Sequence, residues 1–294
     1  MNSLVVEQLR SFNRTVTEGI GVLDDRFLGR GRRVGESRML WEIGADGIDE
    51  PRLRDRLGLD AACVGRVLQS LADDGLVRLE DGWPGHPERR VSLTEKGLVE
   101  RAELDRRSNE LAERILEPLN DDQSAALVAA MAKVEQLLQA SMVRFAIEAP
   151  DTADARWCFE QYFVELNTRF EAGFNPALSI SADAPELTHP AGLLVIARLR
   201  DRAIGCGAIK FHGDAPAEVK RMWIDKAARG FGVGARLLGE LERHARDAGV
   251  RLLRLETNRT LREAIALYRR SGYVEVERFN QEAYAHHWFE KRLG

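Results

Sequence analysis

The chain has 294 residues, 44% hydrophobic and 31% charged, with a formal net charge of −4. That profile fits a soluble globular protein with room for two ordinary cores. No apolar run is long enough to span a membrane, and Met1–Arg10 lacks the layout of a signal peptide, so the expected location is the cytoplasm. Cys63, Cys158 and Cys206 are far apart and odd in number, which argues against a disulfide framework or a cysteine zinc site.

The first half reads as nearly all helix. Leu9, Phe12, Val16, Ile20, Leu23 and Phe27 recur at three- and four-residue steps, the spacing of one apolar helical stripe. A Gly/Arg linker from Gly29 to Gly35 ends it, and a short helix follows around Glu36 to Ile43. Asp49 and Pro51 open another helix that stops at Gly58. Asp60 caps the next, whose inner stripe is Val64, Val67, Leu68 and Leu71, and Gly75 ends it. The period then changes to two. Leu76–Glu80 and Arg90–Leu93 read as strands around the loop 81–87. Thr94 caps a long helix carrying Leu104, Leu111 and Ile115. Asn120 and Gln123 form a capping box for the last helix of this half, with the stripe Leu127, Met131, Val134 and Leu138.

After Pro150 helices and strands mix. Helices are expected at 153–171, 232–247 and 261–271. Strands are expected at 193–199, 203–211, 219–224, 252–257, 273–278 and 287–291. The fold class is therefore two domains: a mainly α domain at 1–148, then a domain at 149–294 in which helices and strands alternate around a mixed sheet, α+β or α/β by pattern and α+β by the resemblance given below.

Arg229-Gly230-Phe231-Gly232-Val233-Gly234 sits between a strand and a helix. Glycines there let a phosphate approach the backbone, the helix N-terminus adds its positive dipole end, and Arg229 adds charge. The spacing differs from the dinucleotide fingerprint, and Ala235-Arg236 follow where a P-loop needs Lys-Ser or Lys-Thr. The run resembles the acetyl-CoA loop of the GNAT acyltransferase superfamily, with Arg229, Gly232 and Gly234 at every defined position. Glu218–Ile224 is similar to that family's central strand, and Leu267–Tyr273 to its L-Y-x-x-x-G-F/Y signature.

This resemblance implies direct acetyl transfer from acetyl-CoA, as co-substrate, to an amine, with no metal. It implies co-substrate contacts at Met222, Trp223, Ile224, Arg229, Gly230, Phe231, Gly232, Val233, Gly234 and Ala235. It also implies that Tyr268 returns a proton to the leaving thiolate. Leu261 stands where many relatives carry Asn, so Asn258 is expected to replace that contact. Glu218 is the candidate general base, because the attacking amine must lose a proton. Phe174, Asn175, His286 and His287 are candidates for the acceptor site.

The first half resembles the MarR family of winged helix-turn-helix regulators. Leu71–Val77 is similar to its L-x-x-x-G-L-V stretch and Leu93–Gly97 to its L-T-x-x-G. That implies a homodimer that binds double-stranded DNA. Ala62, Gly65, Arg66 and Gln69 would face the major groove, and Arg89 and Arg90 lie on the wing. Two departures stand out. The family's Asp-x-Arg is here His86-Pro87-Glu88-Arg89-Arg90, and this half is net acidic, with 21 Lys+Arg against 27 Asp+Glu up to residue 148 and 22 against 20 after it. The overall expectation is an N-acetyltransferase fused to a regulator. The alternatives are a regulator that senses acetyl-CoA without turnover, and a dimeric interaction protein with no DNA role.

Overall fold

The computed structural model describes residues 3–19, 27–82, 87–180 and 182–294. The chain folds into two compact units, Met1–Met131 and Ala132–Gly294.

In the first unit, α1 (Ser3–Gly19) buries no residue, and Leu9, Phe12 and Val16 are 39–50% exposed. Ile20, Leu23 and the side chain of Phe27, the continuation of its stripe, lie outside the described residues. The helices α2 (Val34–Ile43), α3 (Glu50–Leu57) and α4 (Ala61–Asp73) follow. Their boundaries have local causes. Pro51 enters α3 in its first turn, and Gly58 takes a left-handed conformation at its end. The Asp60 carboxylate accepts from the Cys63 N–H, 2.8 Å away, at the start of α4. The strands β2 (Val77–Glu80) and β3 (Arg90–Leu93) pair antiparallel. A two-residue strand, β1 (Ile48–Asp49), which the sequence did not suggest, joins the other edge of β3. Met39, Leu40, Leu53, Leu68, Leu71 and Val91 form the centre of this core, each no more than 1% exposed.

The Leu93–Gly97 motif has a steric and a hydrogen-bonding basis. Thr94 Oγ1 donates to the Gly75 carbonyl at 2.7 Å and accepts from the Gly97 N–H at 3.0 Å. A Cβ on Gly97 would lie 2.0 Å from the Leu76 carbonyl oxygen, so only glycine lets helix and strand come this close. From there α5 (Glu95–Leu116) runs out. Asn120 and Gln123 exchange hydrogen bonds of 2.9 and 3.1 Å as the box opening α6 (Asp121–Ser141). Leu127 and Val134 are half-buried, but Met131 and Leu138 are 60% and 46% exposed.

The second unit contains a seven-stranded sheet of order β4-β5-β6-β7-β8-β10-β9. Its strands are β4 (Arg144–Glu148), β5 (Gly192–Leu199), β6 (Arg202–His212), β7 (Ala215–Ile224), β8 (Leu252–Thr257), β9 (Val274–Val276) and β10 (His287–Arg292). Only β7 and β8 are parallel neighbours. The sequence reading placed 144–148 before the domain boundary. In the structure this segment pairs with β5 along its whole length, so the second unit begins earlier than residue 149. The helix α7 (Ala153–Arg169) packs on one apolar cluster that includes Leu194, Ile196 and Cys206. The helix α8 (Val233–Asp247) packs on another that includes Val195, Ile209 and Leu253. The alternation of Leu194/Ile196 with Val195/Ala197 shows β5 covered on both faces. The helix α9 (Arg262–Arg270) buries Ile265 and Tyr268. Cys158 and Cys206 are buried free thiols, and Cys63 is a half-buried one. Among the described residues no helix is long and apolar enough to cross a membrane.

Candidate active site

The site in the second unit arises where the sheet comes apart. β7 and β8 align only at Ala217–Leu253 and Glu218–Arg254. Beyond that β7 continues to Ile224 and β8 to Thr257 without pairing, so the strands diverge. Backbone groups on the facing edges then need other partners. A bulge reinforces the opening. Ala208 faces Lys220 and Cys206 faces Trp223, which leaves one extra residue in β7. Arg221 takes a φ of 56°, left-handed and costly for an L residue.

Two lobes fill the resulting cleft. The first encloses about 1540 Å³ including its open mouth. It is lined by Met222–Ile224, by Arg229, Gly230, Gly232, Gly234 and Ala235, and by α9. Gly232 is the N-cap of α8 with a φ of 80°, and no side chain caps that helix. Its first-turn N–H groups and dipole end are therefore free for an anion. Arg229, expected at a phosphate, is held within the fold. Its Nε donates to the Ile224 carbonyl at 2.8 Å and its guanidinium pairs with Glu165. Burial pushes the Glu165 carboxyl up, but Arg229, Arg169 and Trp223 together outweigh this and the net shift is downward. Trp223 Nε1 also donates to Glu165, at 3.0 Å. Arg229 therefore fixes the turn relative to α7. Phe231 packs beneath the Lys133 ammonium at 4.8 Å, and Val233 is buried in the core. Neither side chain lines the cleft.

The second lobe, about 740 Å³ including its open mouth, shares Tyr268 with the first. Tyr162, Met222, Leu261 and Tyr268 border both lobes. Tyr268 is 6% exposed and packs against Tyr273 and Phe289, each with centroids 5.9 Å away. Burial pushes its hydroxyl well above the usual tyrosine range, so it keeps its proton at neutral pH. Its Oη makes no hydrogen bond among the described residues.

Several expected residues fall elsewhere. Glu218 does not line the cleft. It sits where β7 and β8 still pair, 3.0 Å from Lys220 Nζ and 3.8 Å from His212 Nε2. Asn258 lines the second lobe rather than the glycine lobe. Its amide is engaged at both ends, donating to the Tyr284 carbonyl at 2.7 Å and accepting from the Thr260 N–H at 2.9 Å. Asn175 caps the short turn 176–178, His286 is exposed, and His287 Nδ1 lies 2.6 Å from Glu275. Of the four acceptor candidates only Phe174 lines the lobe.

The carboxylates that do line it are Glu256 and Glu282. The Glu256 side chain is 8% exposed and pairs with Lys220. Burial pushes its carboxyl above the usual range, more than the Lys220 charge lowers it. Glu282 accepts from Ser179 Oγ at 2.9 Å, the Ile180 N–H at 2.7 Å and the Tyr284 N–H at 3.2 Å. Nothing in the sequence marked Glu256, because a charged residue in an alternating strand reads as a solvated face. Among the described residues no cluster fit to hold a metal is present.

In the first unit the expected outward face of α4 is exposed at Ala62, Arg66 and Gln69 and half-buried at Gly65. Gln69 donates to Asp73 at 2.8 Å. Arg89 lies 3.3 Å from Asp81 and 3.6 Å from Glu50. Arg90 donates to the Asp46 carbonyl at 2.7 Å and lies 3.6 Å from Asp49.

The model of the acetyltransferase (GNAT) family matches residues 153–273, and that part of the chain is a GNAT acetyltransferase domain with a mixed sheet. Acetyl-CoA is the co-substrate of that family. A curated relative, an IAA acetyltransferase of Azospirillum brasilense, is 39% identical over 94 residues, which are 32% of this chain and 61% of that protein. The chain spans between about a third and three-fifths of the length of the curated relatives it matches. Among solved structures, a GNAT acetyltransferase from Staphylococcus aureus is 13% identical, over 52% of this chain and 99% of its own, with a TM-score of 0.45. A probable transcriptional regulator from Pseudomonas aeruginosa is 20% identical, over 45% of this chain and 97% of its own, with a TM-score of 0.37.

Proposed function

We propose that the chain is an acetyl-CoA-dependent N-acetyltransferase acting on an amine by direct transfer. The observation that carries this reading is the divergence of β7 from β8 directly beside an uncapped helix N-terminus, with Tyr268 at the junction of the two lobes. The residues present fit the co-substrate. The free edge of β7 from Lys220 to Ile224 offers hydrogen bonds to an amide-bearing arm, and the turn Gly230–Ala235 offers N–H groups to a pyrophosphate. Acetyl-CoA supplies the activated acyl group. The chain's own residues orient it and move protons. Glu256, inside the acceptor lobe with its carboxyl raised above the usual range by burial, takes the amine proton in the role first assigned to Glu218. Tyr268 holds its proton until the leaving sulfur needs it.

For the first unit the reading is a MarR-like winged helix-turn-helix that binds double-stranded DNA as a homodimer, in the cytoplasm. Its support is the exposed outer face of α4 beside a hairpin carrying Arg89 and Arg90, and the exposed apolar residues of α1 and α6. Such faces call for a partner, and a second copy supplies a matching one.

Acetyl-CoA-dependent thiol release over a panel of amines tests the enzyme. Turnover with at least one amine is expected. Tight acetyl-CoA binding with no turnover on any amine would favour a sensing regulator instead.

A further inference from the structure

In the acceptor lobe one charge lacks a counterpart. Lys220 sits between Glu218 and Glu256, and Glu282 is satisfied by three donors. Arg221 forms no ion pair or hydrogen bond through its side chain among the described residues, and its Nε is buried without a partner. It stands at the β7 bulge, and its guanidinium carbon lies 4.6 Å from the Phe163 ring centroid, 5.8 Å from that of Tyr162 and 5.9 Å from that of Phe159. A guanidinium held over a ring by cation–π attraction keeps the donors of its terminal nitrogens available, and that end has the fork geometry that matches a carboxylate. Left-handed backbone and an unpaired buried donor are both costly, and costs of this kind collect where a ligand is bound.

Building on the acetyltransferase reading, we propose that Arg221 binds the carboxylate of the acceptor. The acceptor is then an amino acid, an amine that carries its own carboxylate, and not a polyamine. With the carboxylate at Arg221, the amine lies in the lobe that Glu256 and Tyr268 share. A polycation would instead meet Arg221 and gain no free carboxylate, since Glu256 and Glu282 are already partnered.

The test uses the full chain and matched pairs of amino acids and their carboxamides in the thiol-release assay. A charge-assisted pair predicts a kcat/KM preference for the acid of about 10- to 100-fold. In Arg221→Met the acid-to-amide ratio falls to near one. In Arg221→Lys, which keeps the charge and loses the fork, it falls part of the way. Calorimetry with N-acetylphenylalanine and N-acetylphenylalaninamide reads the same preference without turnover, and Phe170 and Phe174 make an aromatic probe suitable. Preference in calorimetry without any thiol release would sink the enzyme reading and leave the anion site standing. Equal handling of acid and amide by the wild type, or an unchanged ratio in Arg221→Met, would overturn the proposal.

Discussion

The outer face of α4 and the cleft of β7 differ in how they treat regular structure. On α4 and the β2–β3 hairpin the backbone is ordinary helix and strand, and the exposed arginines are tied to nearby acids or carbonyls. In the second unit β7 loses its partner strand, bulges at Arg221, and leads into a turn where Gly230 and Gly232 take positive φ. A surface that meets a long, regular ligand can be made from side chains on undisturbed elements. A site that encloses a small one has to interrupt the fold and expose backbone. Functional consequences of substitution should therefore be large and local in the cleft, and small and additive on α4.

The largest effect is expected at the junction of the lobes. Tyr268→Phe should lower kcat by about 10²-fold while acetyl-CoA affinity stays within twofold, since general acid catalysis contributes on that scale. A fall in affinity matching the fall in kcat would make Tyr268 a packing residue. Glu256→Gln sharpens the picture through pH. The Glu256 carboxyl is raised above its ordinary value, so the base form is lost as pH falls through that raised value. Wild-type kcat/KM should drop on the acid side, and the variant should be slow with that limb absent. A limb unchanged in Glu256→Gln would return attention to Glu218.

Gly232→Ala asks a smaller question. At a φ of 80° an alanine costs about 1–2 kcal/mol, so acetyl-CoA should bind about tenfold more weakly with the fold intact by circular dichroism. The smallest effect is expected on α4. On the proposed DNA-binding reading, Arg66→Ala should weaken DNA binding only several-fold, and should reduce the salt slope by about one where the side chain meets a phosphate. A collapse of DNA binding from that one change would break the contrast drawn between the two regions.

Much of this was legible in the sequence because its causes are local. Asp60, Thr94 and the Asn120–Gln123 pair mark helix starts by hydrogen bonds to residues three positions away, and the structure contains each of them. The glycine turn was legible for the same reason, since few residues tolerate its dihedrals. What escaped notice depends on distant partners. β4 is a five-residue strand whose role appears only through β5, whose paired residues lie 46 to 54 positions later, and β1 is visible only through β3. Glu256 gains its buried setting from Lys220 across the diverging strands. The setting of Arg221 depends on the β7 bulge and on the rings of Phe159, Tyr162 and Phe163 in α7. The place of Asn258 depends on Tyr284, 26 residues later, whose carbonyl holds its amide in the second lobe.

Hydrogen–deuterium exchange of the full chain with and without acetyl-CoA addresses the central claim most directly. The prediction is new protection of the backbone N–H groups at the free β7 edge, Lys220 to Ile224, and at the first turn of α8, Val233 to Ala235, with α4 unchanged. Saturating acetyl-CoA that leaves both segments exchanging as before would contradict the assignment of this cleft.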